Sequence, residues 1–206
     1  MEYATIEAFR ADPEKVWRFY GPRISMLTEA QPNAAHHALA ELEELGYVSA
    51  IVTQNIDLLH ERARSREVVE VHGSIRTSTC PQCGASQSLE RVQAMLAARP
   101  EEAPRCASCA AVLKPDVVFF GELLPERAID RAHQLARSAG LLLVVGSSLE
   151  VFPVAGLPHE TLEAGGQVAI VNLGPTPFDG HAATKIEGSA ADVLPDVARI
   201  LRQRSA

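Results

Sequence analysis

All four cysteines of the chain fall in two Cys-x-x-Cys knuckles, Cys80-Pro-Gln-Cys83 and Cys106-Ala-Ser-Cys109, with 22 residues between them. Two such knuckles can present four thiolates tetrahedrally to one Zn²⁺, and none is left over. Two redox dithiols, or four buried core cysteines, are the other readings of the same residues. The doubled spacing favours a single metal site, and four sulfur ligands leave the ion no open position, which makes the site structural. Thiols kept for a metal belong in a reducing compartment, so a cytoplasmic location is expected. The opening MEYATIEAFR has neither a basic n-region nor an h-region, and the longest apolar run is five residues. Neither a signal peptide nor a membrane span is expected.

With 206 residues, 47% of them hydrophobic, the chain has the size and apolar content of one domain, with room for a small inserted lobe. A net charge of -7 argues against a nucleic-acid partner, because binding the phosphate backbone needs a surplus of Lys and Arg on one face. Asp12-Pro13-Glu14 reads as an N-cap with Pro at the first helical position, opening a helix through about residue 19. Residues 32–45 carry Ala35, Leu39, Leu42 and Leu45 at helical spacing, with Gly46 as a stop. Then the period changes: 48–53, 68–71, 117–120, 141–145 and 168–171 are short runs rich in Val, Ile and Leu, which read as strands buried on both faces.

Helical stretches at 125–138, 157–164 and 191–203 alternate with these runs. Alternation of this kind implies crossover connections, and so an α/β fold with a doubly wound, Rossmann-like parallel sheet. The knuckle segment interrupts it, with a short helix expected at 89–98. The expected organisation is a Rossmann-like domain from 1–74 and 115–206, including an N-terminal helical part, with a zinc-binding lobe at 75–114 inserted into it.

In open parallel sheets ligands bind beyond the carboxyl ends of the strands. The first run leads into Thr53-Gln54-Asn55-Ile56-Asp57, two amides and a carboxylate at the mouth of the next helix; alone, Asn55 and Asp57 read equally well as N-caps. The second ends in His72-Gly73, where an imidazole could serve as a general base or sit as a satisfied structural histidine. The fourth ends in Gly146-Ser147-Ser148, either a turn that meets a ribose or phosphate or an ordinary strand-to-helix turn. The fifth ends in Asn172, which could bond a nucleotide or close its own turn.

The order of the pieces says more than any one of them. Thr53-Gln54-Asn55-Ile56-Asp57, Leu59-His60, His72-Gly73-Ser74, the two knuckles, Pro115-Asp116-Val117-Val118-Phe119-Phe120-Gly121-Glu122 and Gly146-Ser147-Ser148-Leu149 follow one another as in the sirtuins, the NAD-dependent protein deacylases. The resemblance runs from about residue 3 to the C-terminus and takes in Pro32-Asn33-Ala34-Ala35-His36 and the segment from Gly188 to Pro195.

The resemblance implies that Gln54, Asn55, Ile56 and Asp57 line the nicotinamide and ribose part of an NAD site, with Asp57 at the carboxamide. It implies that His72 is the general base. In the family reaction the acyl-lysine carbonyl oxygen displaces nicotinamide, the base activates a ribose hydroxyl, and the acyl group ends on ADP-ribose. A near-neutral imidazole can take that proton, while amides fix the sugar without adding charge. Gly146, Ser147 and Ser148 correspond to a family Gly-Thr-Ser turn, and Asn172, Leu173, Gly174 and Ala190 to positions holding the adenosine half. Val118, Phe119, Phe120 and Gly121 correspond to the wall of the acyl-lysine tunnel, where an acylated protein substrate would lie as an added strand; some of these residues must also pack inward. Tyr20-Gly-Pro-Arg23 resembles the pair found in sirtuins that accept negatively charged acyl groups such as succinyl, since a phenol and a guanidinium can grip a carboxylate. A packed Tyr beside a surface Arg is the plainer reading. The implied cofactors are NAD as co-substrate and one structural Zn²⁺.

The chain also departs from the pattern. The family's Gly-Ala-Gly-x-Ser phosphate turn and Gly-Ile-Pro-x-Phe-Arg stretch have no counterpart, and no two glycines here are separated by a single residue. Impaired turnover is therefore expected, with a non-catalytic NAD or ADP-ribose binding module as the alternative. Ala63-Arg64 stands where sirtuins usually have Ala-Gly.

Overall fold

The computed structural model describes residues 3–205. In chain order the helices are α1 (Ile6–Ala11), α2 (Pro13–Glu29), α3 (Ala34–Glu44), α4 (Leu59–Arg62), α5 (Leu89–Ala98), α6 (Glu126–Ser138), α7 (Leu157–Glu163) and α8 (Ala190–Ser205). The strands are β1 (Ile51–Thr53), β2 (Val68–Glu70), β3 (Gly73–Thr79), β4 (Ser86–Ser88), β5 (Lys114–Val117), β6 (Leu141–Val145), β7 (Gln167–Asn172) and β8 (Thr184–Glu187). Among the described residues no helix is long and apolar enough to cross a membrane.

The backbone divides into two compact units. The first comprises the chain up to Ala30, Gln54–Leu58 and His72–Pro125. Its sheet is antiparallel in the order β4-β3-β5. The core gathers Trp17, Val92, Leu113 and Phe119 with Cys80 and Cys106. Trp17 is buried and donates its indole N–H to the Leu113 carbonyl at 2.6 Å, which satisfies the only polar atom that burial of the ring would strand.

The start of α2 is as expected: the Asp12 side chain accepts from the Lys15 N–H at 2.9 Å, and Pro13 occupies the first turn. The helix nevertheless continues to Glu29 past Pro22, well beyond residue 19. Burial of Gly21 and Ile24 supplies the packing that offsets one missing N–H.

A second correction concerns 117–120. The strand there is β5, which ends at Val117 and pairs antiparallel with β3, not with the parallel strands. Phe119 is buried, Phe120 is 54% exposed and Gly121 turns back at φ +88°. An apolar run marks burial, but not whether the ladder continues through it. Strands β3, β4 and β8 were not legible because they carry no apolar run; β4 and β8 are mostly exposed, while β3 is largely polar even where it is buried.

The second unit comprises Gln31–Thr53, Leu59–Val71 and the chain from Glu126 onward. It holds the parallel pair β1-β2 and the parallel triple β6-β7-β8. Strand β7 is buried on both faces, as a strand between two helical layers must be. Val168 and Ile170 pack with Val144, Leu149 and Phe178. Val171, on the opposite face, packs with Leu39 and Leu42 of α3 and with Leu194 and Ala198 of α8. An ion pair between Arg202 and Glu41 closes the outer end of that helix pair.

Helix α4 ends in a Schellman motif: the Ser65 N–H donates to His60 O at 3.0 Å and the Arg64 N–H to Glu61 O at 2.8 Å. The motif needs a left-handed residue at Arg64, whose φ is +76°. The turn therefore survives the exchange of Gly for Arg, at a cost in backbone strain.

Candidate functional site

In the first unit the four sulfurs converge. Cys80 Sγ lies 3.5 Å from Cys109 Sγ, and Cys83 Sγ lies 3.5 Å from Cys106 Sγ and 3.6 Å from Cys109 Sγ. All four are within 4.8 Å of one another. A tetrahedral ion with Zn–S bonds of about 2.3 Å sets its sulfurs about 3.8 Å apart, so the cage has the size of a zinc site. The two knuckles share one backbone turn: the Cys80 N–H bonds Ala85 O and the Gly84 N–H bonds Cys80 O, while the Cys106 N–H bonds Ala111 O and the Ala110 N–H bonds Cys106 O. Gly84 and Ala110 occupy the same left-handed position, at φ +74° and +60°.

The N–H groups of Ser108 and Cys109 pull the Cys106 thiol down to about 6. Although the Ala111 N–H favours its thiolate, Cys109 is pushed up to about 12 by the Cys80 sulfur and its other surroundings. Four sulfurs this close cannot all ionise without a cation among them, and a divalent metal supplies that charge.

His72 follows β2 and opens into β3. Its Nδ1 lies 3.1 Å from the Gln54 carbonyl oxygen. A carbonyl only accepts, so in the neutral ring Nδ1 carries the proton and Nε2 keeps the lone pair. The backbone around the imidazole is equally determined. The His72 carbonyl accepts from the Val118 N–H at 2.8 Å, and the Ile56 carbonyl from the Ile75 N–H at 3.1 Å. Gly73 has φ +69°, and a Cβ there would stand 2.1 Å from the Asp116 carbonyl oxygen. Only glycine can follow the imidazole at this close approach. The unit thus brings Gln54, Ile56, His72 and Val118 together.

Phe120 is committed to the N-terminal segment through both backbone groups, its N–H bonding Ala4 O at 2.8 Å and its carbonyl accepting from the Ile6 N–H at 3.0 Å. The Phe119 N–H donates to Glu122 Oε2 at 2.8 Å. Tyr20 packs its ring 5.3 Å from that of Phe119. Burial raises the Tyr20 phenol above its ordinary value, and the positive charge of Arg23 opposes the shift. Arg23 itself stacks 3.5 Å over the Phe19 ring and donates to the Phe19 carbonyl at 2.8 Å.

In the second unit the parallel register sets Val145 opposite Val171, so the turns that follow β6 and β7 are neighbours. The Gly146 N–H donates to Val171 O at 2.9 Å, and Ser147 Oγ accepts from the Leu149 N–H at 3.2 Å. Asn172 Nδ2 contacts the Leu173 and Gly174 carbonyls, both at 3.3 Å, closing its own turn, while the Leu173 side chain is exposed. The Gly188 N–H returns to the Asn172 carbonyl, and α8 begins at Ala190. Lys114, Asp179 and Lys185 carry no signal in the sequence, and Glu122 stands there only as the last member of the 115–122 motif. Lys185 bonds Gly174 O at 2.9 Å and Asp179 Oδ2 at 2.6 Å. A single Lys, Glu or Asp, on a strand as Lys114 and Lys185 are or in a turn, gives no pattern by which such a partner could be found.

A family model described as "Sir2 family" matches residues 1–153. The chain belongs to the Sir2 family. An NAD-dependent protein deacylase of Pyrococcus furiosus is 43% identical over 204 residues, covering 99% of this chain and 82% of its own length. A crystal structure of a Sir2 homolog–NAD complex superposes with a TM-score of 0.93 at 40% identity, covering all of this chain and 78% of that one. A Sir2 protein bound to acetylated peptide gives a TM-score of 0.89 at 39% identity, covering 98% of this chain and 82% of that one. Membership of the Sir2 family accords with the α/β architecture of parallel strands and helices and with the four-sulfur cage.

Proposed function

We propose that this chain removes acyl groups from protein lysines at the expense of NAD, releasing nicotinamide and O-acyl-ADP-ribose. The observation that carries the reading is the contact of His72 Nδ1 with the Gln54 carbonyl oxygen, which leaves Nε2 as a base in a chain similar throughout to Sir2 proteins. NAD supplies the ribose and the leaving group when bound. The chain's own part is to orient and to move one proton. His72 accepts the hydroxyl proton at Nε2. Gln54, Asn55, Ile56 and Asp57 hold the nicotinamide ribose, and Gly146, Ser147, Ser148, Asn172, Leu173, Gly174 and Ala190 hold the adenosine half. Val118, Phe119, Phe120 and Gly121 receive the acyl-lysine segment of the substrate protein. Cys80, Cys83, Cys106 and Cys109 hold one Zn²⁺ that shapes a lobe over 75–114, inserted between 1–74 and 115–206, and takes no part in the chemistry. Four thiols gathered for a metal support a cytoplasmic location, where thiols stay reduced.

The test is acyl-peptide-dependent nicotinamide release, with NAD binding followed separately by calorimetry. Release that depends on the peptide supports the deacylase reading. NAD bound without release would favour the second reading, a non-catalytic NAD or ADP-ribose binding module.

Acetyl is the default acyl group, and succinyl is the second, suggested by a phenol and a guanidinium three residues apart on α2, Tyr20 and Arg23. Arg23 would have to leave the Phe19 ring to grip a carboxylate. Turnover of succinyl-lysine peptide that exceeds acetyl and collapses in Arg23→Met supports it; acetyl preference unchanged by the substitution removes it.

A further inference from the structure

We infer that Lys114 is a positioning residue for the acylated peptide, an ammonium strap that holds residues 117–122 in shape and so sets peptide affinity rather than the rate of the chemical step. The inference rests on the peptide role proposed above for residues 118–121.

An ammonium has three N–H donors, and Lys114 Nζ meets three acceptors: the Pro115 carbonyl at 3.2 Å, the Val117 carbonyl at 2.9 Å and Glu122 Oε2 at 2.9 Å. Its charge also lies 4.5 Å from the centre of the Phe119 ring. Glu122 Oε2 takes a second bond, from the Phe119 N–H. One ammonium and one carboxylate oxygen therefore tie Val117, at the end of β5, to Glu122 beyond the turn, with Phe119 clamped between them.

The pair is largely shielded from water, the Lys114 and Glu122 side chains being 17% and 23% exposed. A shielded ion pair recovers little net stability, because desolvation takes back most of the Coulomb attraction. What such a pair retains is geometry. Here the geometry is the alternation that turns Phe119 into the core and leaves Phe120 54% exposed, with Gly121 at φ +88° reversing the chain. Without the strap that alternation keeps the backbone bonds of Phe120 to Ala4 and Ile6, of Val118 to His72 and of Glu122 to Phe119, and the packing of the Phe119 ring, but loses the one tie that spans from Val117 to Glu122. The His72 imidazole keeps its own tie to the Gln54 carbonyl, and the bond it shares with the strapped segment, from the Val118 N–H, is to its main chain and not to the ring.

The test uses the full chain and three variants. Lys114→Met keeps the length and removes all three donors; KM for the acyl-peptide should rise about tenfold, with kcat and KM for NAD within about twofold. Lys114→Arg keeps the charge but not the three-point geometry and should recover most of the loss, to within about threefold of native. Hydrogen exchange at the Phe119 amide should quicken at least about tenfold in Lys114→Met and little in Lys114→Arg. Should Lys114→Met lose its thermal transition, Glu122→Gln carries the same test, with the same split between peptide KM and kcat. Unchanged peptide KM in these variants, or a fall in kcat with peptide KM constant, or an equal rise in KM for NAD, overturns the role of Lys114 alone. A native chain that releases no nicotinamide with any acyl-peptide overturns the deacylase reading, and the peptide role of Lys114 with it.

Discussion

The imidazole of His72 and the main-chain carbonyl of Gln54 stand 3.1 Å apart, Nδ1 to oxygen, so the tautomer of the ring is set by backbone and not by a neighbouring side chain. His72→Ala should lower release of free lysine by about 10²- to 10⁴-fold while NAD binding by calorimetry is retained. Gln54→Ala should leave the tautomer as it is, because the acceptor is a peptide oxygen. Turnover that survives His72→Ala would remove the ring from the base role.

Trp17, the only tryptophan, shares its core with Cys80, Cys106 and Val92 and bonds the Leu113 carbonyl. Structural zinc contributes about 10 to 16 kcal/mol in small modules, comparable to the entire stability of a domain. Chelation, or Cys80→Ala, should therefore shift Trp17 emission to the red and lower the melting temperature together. Emission that stays put after zinc is lost, shown by metal analysis, would mean that the cysteine cage and the α2 core fold separately.

Arg64 holds a left-handed conformation at the end of α4 that glycine adopts without strain. Arg64→Gly should stabilise the protein by about 1 kcal/mol and raise the melting temperature by about 2 to 4 °C. Arg64→Ala, still bearing a Cβ, should give no such gain. A melting temperature that falls in Arg64→Gly would show that the guanidinium makes a contact worth more than the strain.

Asp179 is held below the usual carboxylate range, first by its bond from Lys185 and then by the Thr176 hydroxyl. A depressed folded-state value contributes stability above the unfolded value of about 4, which is lost as pH falls through the folded one. Lys185→Met should thus melt below the native chain at neutral pH, and the gap should close as pH drops under about 4. A gap of constant size from neutral to acid would mean that the ion pair is not its cause. On the adenosine-binding role proposed for Gly174, whose carbonyl Lys185 also bonds, the same variant should weaken NAD binding.

How much could be read in advance varied with the kind of interaction. Helix α5 was expected at 89–98 and spans Leu89–Ala98, because apolar spacing and the Ser88 cap are both local. Strand β7 was legible because burial on two faces leaves a run of Val, Ala and Ile, and β6 by its run of Leu and Val, although Leu141 is exposed and only Val144 of that strand is fully buried. Strand β3 was not: its pairing with β5 is supported by Asp116, whose carboxylate collects the hydroxyls of Thr77 and Thr79 from 39 and 37 residues away in sequence. The run at 117–120 misled for the related reason that Phe119 is apolar to fill a core, not to extend a ladder.

The zinc cage of four cysteines was determined by sequence alone, since Cys-x-x-Cys spacing places two sulfurs on one turn whatever surrounds them. So were the strand ends at Gly146 and Asn172, because chain direction in the parallel pair β6-β7 puts both ends on one edge. Tertiary structure alone decided which nitrogen of His72 is protonated, where Arg23 rests, and that Lys114 straps Glu122 to Val117. Each of these depends on atoms brought within about 3 to 4 Å by folding, and contacts at that range follow from packing and leave no periodic trace in the chain.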